Sequence, residues 1–444
     1  MLNTLRFFIV TAVLISAIPV AQSQASYRRT LTLEEVFSLA DERSKTIKIY
    51  ETAVEVAHNN IEVARNAFLP HVNFSASATY NGNAWVADRN FSNGQSYSSP
   101  HFGNNFAIEA SQVVFSGGAI IHNIKAAEIQ KRIAEWNLKV YRQEVYFLLA
   151  GFYLDLCKFR NLQNVYERNI EQTKQVINDM RAREAAGIVL HNDITRYEVQ
   201  LQNLEYSLRE LKSSIEICNT RLTVMLDLPE ETQIIPETAL LYSELTPIDQ
   251  KDILTNALQN SPVLNIRRLS DNVLDHKMKV VKAAYFPQIS IIAGDNIKGP
   301  ITYEIPVINA NINTWYVGVG LNFNIGNILR APKEISRLKS SMAQSRNELV
   351  EAEEKTGLDV RAAQIRYLDS FELLKTQEKS LQLARENYEI TANRYANDLV
   401  LIIDLVDADN LRLNAEVQYE NAKINIVYAY YKLLYTAGAL NSQN

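Results

Sequence analysis

Trp315-Tyr-Val-Gly-Val-Gly-Leu-Asn-Phe-Asn-Ile325 alternates without a break. Successive side chains of a strand point to opposite faces. Trp315, Val317, Val319, Leu321, Phe323 and Ile325 therefore share one face, and Tyr316, Gly318, Gly320, Asn322 and Asn324 the other. Val72 to Asn81 repeats the pattern: Val72, Phe74, Ala76, Ala78 and Tyr80 oppose Asn73, Ser75, Ser77, Thr79 and Asn81. Phe106, Ile108 and Ala110 oppose Ala107, Glu109 and Ser111. Ile289, Ile291 and Ala293 oppose Ser290, Ile292 and Gly294, the weakest alternation of the four. Strands of about ten residues, apolar on one side and small-polar on the other, suit a barrel wall between lipid and water. They suit a soluble sheet with one wet face equally well.

The segments after these strands decide between the two. From Gly117-Gly118 to about Ala186 the chain is helical in pattern and free of proline. That is roughly 70 residues, on the order of 100 Å at 1.5 Å per residue. Its later half carries a seam at alternating spacings of three and four, the coiled-coil rule: Leu149, Phe152, Leu156, Phe159, Gln163, Tyr166, Ile170, Thr173, Ile177, Met180. After a break at Gly187 the returning helix has its own, from Ile194, Tyr197 and Leu201 to Cys218, Leu222 and Met225. A second long helix is expected from about Pro332 to Ala396, with a break at Asn397-Asp398 and a return through Leu434.

The chain is written twice. Ala40, Ser44 and Pro70 recur 217 positions later as Ala257, Ser261 and Pro287, and Asp193 and Asp404 match at a spacing of 211. The expected division is a signal peptide at 1–25, repeat one at 26–226, a linker at 227–246, repeat two at 247–440 and a tail at 441–444. Each repeat has a modest helix, a β-hairpin (about 71–115 and 288–325) and a long helical hairpin (about 118–226 and 332–437). The first helix opens on Thr32-x-x-Glu35, a capping box, and runs to Pro70, where proline ends it. The linker, with Pro229, Pro236 and several acidic residues, reads as an exposed connector. In the leader, Arg6 precedes an apolar run from Phe7 to Ile18, and Ser23 and Ala25 suit a cleavage site.

Composition removes several functions. The formal net charge is −5, with basic and acidic residues mixed along the chain, so no nucleic-acid partner is indicated. The two cysteines, Cys157 and Cys218, make neither a disulfide framework nor a CxxC site. They fall on or beside the seams and read as small buried hydrophobes. The six histidines are scattered, and no HExxH or GxSxG occurs. Gly318-Val-Gly320 lies inside a strand and lacks the third glycine of a dinucleotide loop. Neither an enzyme nor a cofactor is expected. Asp404, Asp407 and Asp409 could hold a cation transiently but lack the turn of a calcium loop.

Four strands cannot close a barrel, because single-chain membrane barrels begin at about eight. An open edge in lipid leaves backbone groups unpaired at several kcal/mol each. Closure must come from association. Two chains give about eight strands and an interior filled by side chains; three give about twelve and room for water. The long helices carry charge throughout and must project away from lipid as coiled coils. The alternative is a soluble exported coiled-coil scaffold or adaptor with a small β-domain, which would leave cells without detergent.

The sequence resembles the TolC-type outer-membrane efflux proteins from Leu31 to about Leu440. The resemblance rests on the helix-to-proline junctions at Pro70 and Pro287, the Val-Phe-Ser-Gly-Gly118 strand exit, the Ala-Gly187-Ile-Val-Leu-His-Asn-Asp193 turn and Ile403-Asp404-Leu-Val-Asp407-Ala408. It implies a mixed α/β membrane protein in the outer membrane of a Gram-negative bacterium: a homotrimer whose 12-stranded barrel, four strands per chain, meets outer-membrane lipid and continues as a helical periplasmic tunnel. It implies a passive exit duct of a tripartite efflux or type I secretion system, reached by an inner-membrane pump (RND, ABC or similar) through a periplasmic adaptor, or membrane fusion, protein. Asp404 and Asp407 then ring the narrowest point, where the equivalent pair in repeat one is Asp193 and Arg196. Tyr395 and Asp193 match the family's closing tether. Its companion arginine falls on Val400 and its turn glycine on Asp398, which implies a differently latched aperture. The turns Gly187-Ile188-Val189 and Asn397-Asp398-Leu399 are the expected adaptor contacts.

Overall fold

The structure, a computed structural model, describes residues 27–237, 245 and 250–441. The expected signal peptide and residues 442–444 of the expected tail lie outside them. Repeat one runs β1 (Tyr27–Leu31), α1 (Leu33–Arg43), α2 (Lys45–Arg65), β2 (His71–Tyr80), β3 (Ala84–Val86), β4 (Gln95–Tyr97), β5 (Phe102–Phe115), α3 (Ala119–Ala185) and α4 (His191–Met225). After β6 (Thr232–Pro236), repeat two runs α5 (Gln250–Asn260), α6 (Pro262–Ala283), β7 (Gln288–Gly299), β8 (Ile312–Asn322), α7 (Gly326–Ala396) and α8 (Ile402–Thr436).

The capping box is formed: Thr32 N donates to Glu35 Oε2 at 2.8 Å, and Glu35 N to Thr32 Oγ1 at 3.2 Å. The expected first helix, however, is two helices. The chain turns extended at Ser44 (φ −61, ψ 119), whose hydroxyl accepts from Ile47 N and starts α2. The recurring Ser261 breaks α5 from α6 at the same point, with Pro262 opening α6. Proline needs no amide partner in a first turn.

α3 and α7 are 67 and 71 residues long, and α4 and α8 are 35 each. α7 begins at Gly326, not near Pro332, which lies inside it. A proline there costs the Ile328 carbonyl its usual donor without ending so long a helix. Every residue of the α3 seam is buried or half-buried. α4 and α8 return only halfway along their partners. Over the rest, α3 packs on α2 and α6, and α7 on α6. The main core forms where the two regimes meet. Phe37, Tyr146, Leu149, Leu222, Ile234, Tyr367 and Leu433 lie within it, and Cys157 and Cys218 are buried there as free thiols. Burial pushes the Cys157 thiol up to about 12, so it stays protonated and inert.

The large sheet has the order β2-β5-β7-β8, every pair antiparallel. Register keeps the faces apart. Val317 pairs with Ala293, Ala293 with Ala110 and Ala110 with Val72, a continuous apolar row. Asp295 alone puts a carboxylate on that face, opposite Trp315 and Ile108, and takes a hydrogen bond from Asn313 Nδ2 at 2.8 Å. All ten residues of β2 are exposed, and Trp315, Val319 and Leu321 are 75%, 73% and 67% exposed. Val72, Phe74, Ile108 and Val317 likewise stand exposed on the apolar face. β8 stops at Asn322, short of the alternation's end at Ile325, which caps α7.

The linker is not simply an exposed connector. Thr232–Pro236 pairs in parallel with β1, and Thr232 and Ile234 are buried. Asn219 of α4 supplies the missing strand neighbour. Its Nδ2 donates to Thr232 O and its Oδ1 accepts from Ile234 N, both at 2.8 Å. Arg160 Nη2 donates to Ile234 O at 2.9 Å, and Tyr153 Oη to Leu31 O at 2.8 Å. Asn219→Ala strands two buried backbone groups and should cost about 1–3 kcal/mol. Hydrogen exchange at the Ile234 amide should quicken accordingly; unchanged exchange would mean that the pairing with β1 suffices.

Candidate aperture at the helix tips

Both long hairpins end in the same turn. Ile188 N donates to Arg183 O at 3.0 Å and Gly187 N to Glu184 O at 2.8 Å; Leu399 N donates to Arg394 O at 2.9 Å and Asp398 N to Tyr395 O at 3.0 Å. This is the Schellman closure, which needs a left-handed residue after the helix. Gly187 supplies it at φ 76 and Asp398 at φ 57. Aspartate tolerates that conformation better than most residues with a Cβ, so the turn forms at Asp398 without a glycine.

The tips lie side by side. Ile177, Met180, Ile194 and Tyr197 of repeat one pack with Ile402 and Leu405 of repeat two, and Val189 and Tyr395 lean on this cluster half-buried. Tyr395 makes no hydrogen bond to Asp193 within one chain. Burial first, then Asp193 and Asp398, push its hydroxyl above the ordinary tyrosine range, against the opposing effect of Arg183. Arg183 is the residue that sequence reading missed. Its Nη2 donates to Ala396 O at 3.1 Å, its Nη1 lies 3.5 Å from Asp398 Oδ1, and its guanidinium sits 5.7 Å from the Tyr395 ring centre. A guanidinium from repeat one thus meets the repeat-two turn, while Val400, where the resemblance implied an arginine, is half-buried.

Asp404 and Asp407 share an exposed face of α8. Asp404 also accepts from Leu401 N at 3.0 Å and so starts its helix. Asp193, at the matching point of α4, is half-buried, and Arg196 is exposed. Asp409 does not join Asp404 and Asp407. Five residues beyond Asp404 it has rotated to the inner face, since each residue turns the helix by about 100°. There it is 5% exposed and bound by Arg412 Nη2 at 2.7 Å and Gln200 Nε2 at 3.0 Å. A cation held by all three aspartates is therefore ruled out by geometry.

Asp409 belongs to a buried polar cluster drawing on all four long helices. Arg412 donates to Gln172 Oε1 at 2.8 Å and Asn169 Oδ1 at 2.7 Å, and lies 4.3 Å from the centre of the Tyr388 ring. Asn169 Nδ2 and Arg385 Nη2 donate to Glu416 at 3.3 and 3.0 Å. A buried pair of this kind gives little net stability, but breaking it leaves an uncompensated charge. It fixes the two hairpins in one register. Among the described residues no group of three or more His, Cys, Asp or Glu is gathered as a metal would need, and no helix is long and apolar enough to cross a membrane.

The outer membrane efflux protein family matches residues 36–226 and 253–439, one stretch per repeat. The outer membrane efflux protein BepC of Brucella suis biovar 1 is 22% identical over 449 residues, covering 98% of this chain and 90% of that one. Among solved structures, the outer-membrane channel OprN superposes with a TM-score of 0.78 at 15% identity, covering 93% of this chain and 91% of its own. VceC from Vibrio cholerae superposes at 0.75 with 13% identity, covering 91% and 96%. The solved structures share the fold, and the family match speaks for an efflux channel, not for a soluble scaffold. The chain belongs to the outer membrane efflux protein family, whose members are channels of the Gram-negative outer membrane that project into the periplasm.

Proposed function

We propose that three copies close this efflux channel into one passive duct, with twelve strands in the outer membrane and a helical tunnel below. The observation that carries it is the sheet of four strands, exposed along its apolar face and, among the described residues, open at both β2 and β8. Lipid satisfies the apolar face and water the polar one; only further strands satisfy the edges. Three copies fit the small lumenal side chains Ser75, Ser77, Gly318 and Gly320, which line a water-filled interior better than a packed one. Detergent-solubilised protein should have the mass of a trimer; a stable monomer with protected strand amides would end this reading. Val319→Arg should cost about 2–4 kcal/mol of barrel stability near the membrane midplane, and a substitution at Asn322 far less, measured by folding into vesicles.

No chemical step is implied; an inner-membrane pump supplies energy and an adaptor links it to the duct. The tips suit the adaptor. Ile188, Leu190, Leu399 and Leu401 stand exposed there, and clustered exposed apolar groups mark interaction surfaces. The native thiols are buried, so a cysteine at Leu399 would be the reactive one. It should crosslink to an adaptor in cells, whereas crosslinks only from the barrel end would invert the orientation.

Threefold symmetry would gather two carboxylates per chain, Asp404 and Asp407, into one ring, and Arg183 would latch each chain's tips beside it. Like charges held in a narrow pore attract counter-cations. The channel should prefer cations and be blocked by multivalent ones from the periplasmic side. Asp404→Asn with Asp407→Asn should abolish that block and most of the preference in planar bilayers. Selectivity unaltered by the double change would place these carboxylates outside the pore.

A further inference from the structure

A histidine pair near the barrel has no part in the duct as described. His122 lies one turn into α3 and His276 near the end of α6, their Nδ1 atoms 3.1 Å apart and their ring centres 5.3 Å apart. They are 154 residues apart in sequence. They meet because α3 leaves the sheet close to where α6 leads into it, and the two helices pack together. Both rings are half-buried, so solvent reaches them. Behind them Ile61, Ile124 and Ala127 pack α2 against α3 and hold the backbone that carries His122.

Two nitrogens on one metal, each about 2.05 Å from it, lie about 2.9 Å apart at a right angle and about 3.3 Å apart at the tetrahedral angle. The observed 3.1 Å falls between, but ring centres 5.3 Å apart aim the two nitrogens nearly at each other, so each ring must turn by roughly 20° to converge on one metal. In the metal-free pair one Nδ1–H donates to the other Nδ1; that proton is what a metal ion would displace. We propose that His122 and His276 form a two-histidine site for a divalent transition-metal ion, Cu2+ or Zn2+, with water in the remaining positions. Imidazole nitrogen is a good donor for both ions, and the order of divalent affinities puts Cu2+ first.

The surrounding charge sets the strength. Lys125 and Lys279 both act on His122 against a cation, and Asp275 acts for it. Asp275 holds Lys279 at 2.6 Å, which offsets one lysine and leaves a carboxylate beside the site to orient a bound water. Two protein donors make a reversible site, weaker than a structural zinc with four. Its effect is to join the first helix below the barrel in repeat one to the last helix before it in repeat two, at the junction that both repeats share.

The test uses the full mature chain in detergent, without a histidine tag, titrated with Cu2+ and followed by electron paramagnetic resonance. One Cu2+ per chain should bind with hyperfine structure from two nitrogens, and Zn2+ should displace it. His122→Gln and His276→Gln should each weaken binding more than about tenfold, as loss of even a supporting contact does at metal sites. His58→Gln should leave binding unchanged. The oligomer mass of each variant confirms that it folds. Equal Cu2+ affinity in either paired variant, or a spectrum from a single nitrogen, would overturn the site and leave only a hydrogen-bonded pair.

Discussion

Unpaired backbone at the two edges of the sheet governs everything else in this chain. β2 and β8 each present a row of amides and carbonyls with no strand partner among the described residues. In water such an edge invites indiscriminate pairing; in lipid it cannot exist at all. A chain that carries only part of a wall must hold its edges ready until further strands arrive. The long helices serve that need. They carry most of the buried apolar side chains, and the large sheet adds few to the core of one chain.

Much of this was legible because period is a physical signal. Trp315 to Asn322 and Val72 to Tyr80 alternate, and they form β8 and β2, the two edges of the sheet. The seam from Leu149 to Met180 was legible for the same reason. β1 and β6 were not. Each is five residues long, too short to show a period. β6 is held partly by Asn219 and Arg160, whose roles no local pattern announces. The break at Ser44 is a single residue in otherwise helical sequence, and only its recurrence at Ser261 hinted at a joint.

At the tips the family likeness pointed to Tyr395, Asp193, Asp404 and Asp407, but not to Arg183. Its partners are more than 210 positions away in the other repeat, beyond any reading of neighbours. Asp409 could have been separated from Asp404 and Asp407 by helix phase alone. Asp409, Arg412 and Glu416 recur at three and four on the side that also carries Ala408 and Ala415, which is a buried stripe bearing charge. Such a stripe demands partners of its own, and Asn169, Gln172 and Gln200 answer it from the opposite hairpin.

The unequal lengths of the paired helices have a mechanical meaning. α4 and α8 run 35 residues back from the tips, about 52 Å at 1.5 Å per residue, and stop at the main core. Below that level the two hairpins pack into one four-helix arm; above it α6 joins the same long helices, α3 and α7, to one another. The core is thus a fulcrum, and the arm is a lever. Tilting the arm by roughly 10° about its base carries its tip through about 9 Å, given an arm of that length. A displacement larger than a side chain at the far end therefore asks for shifts near the fulcrum small enough to leave its packing intact.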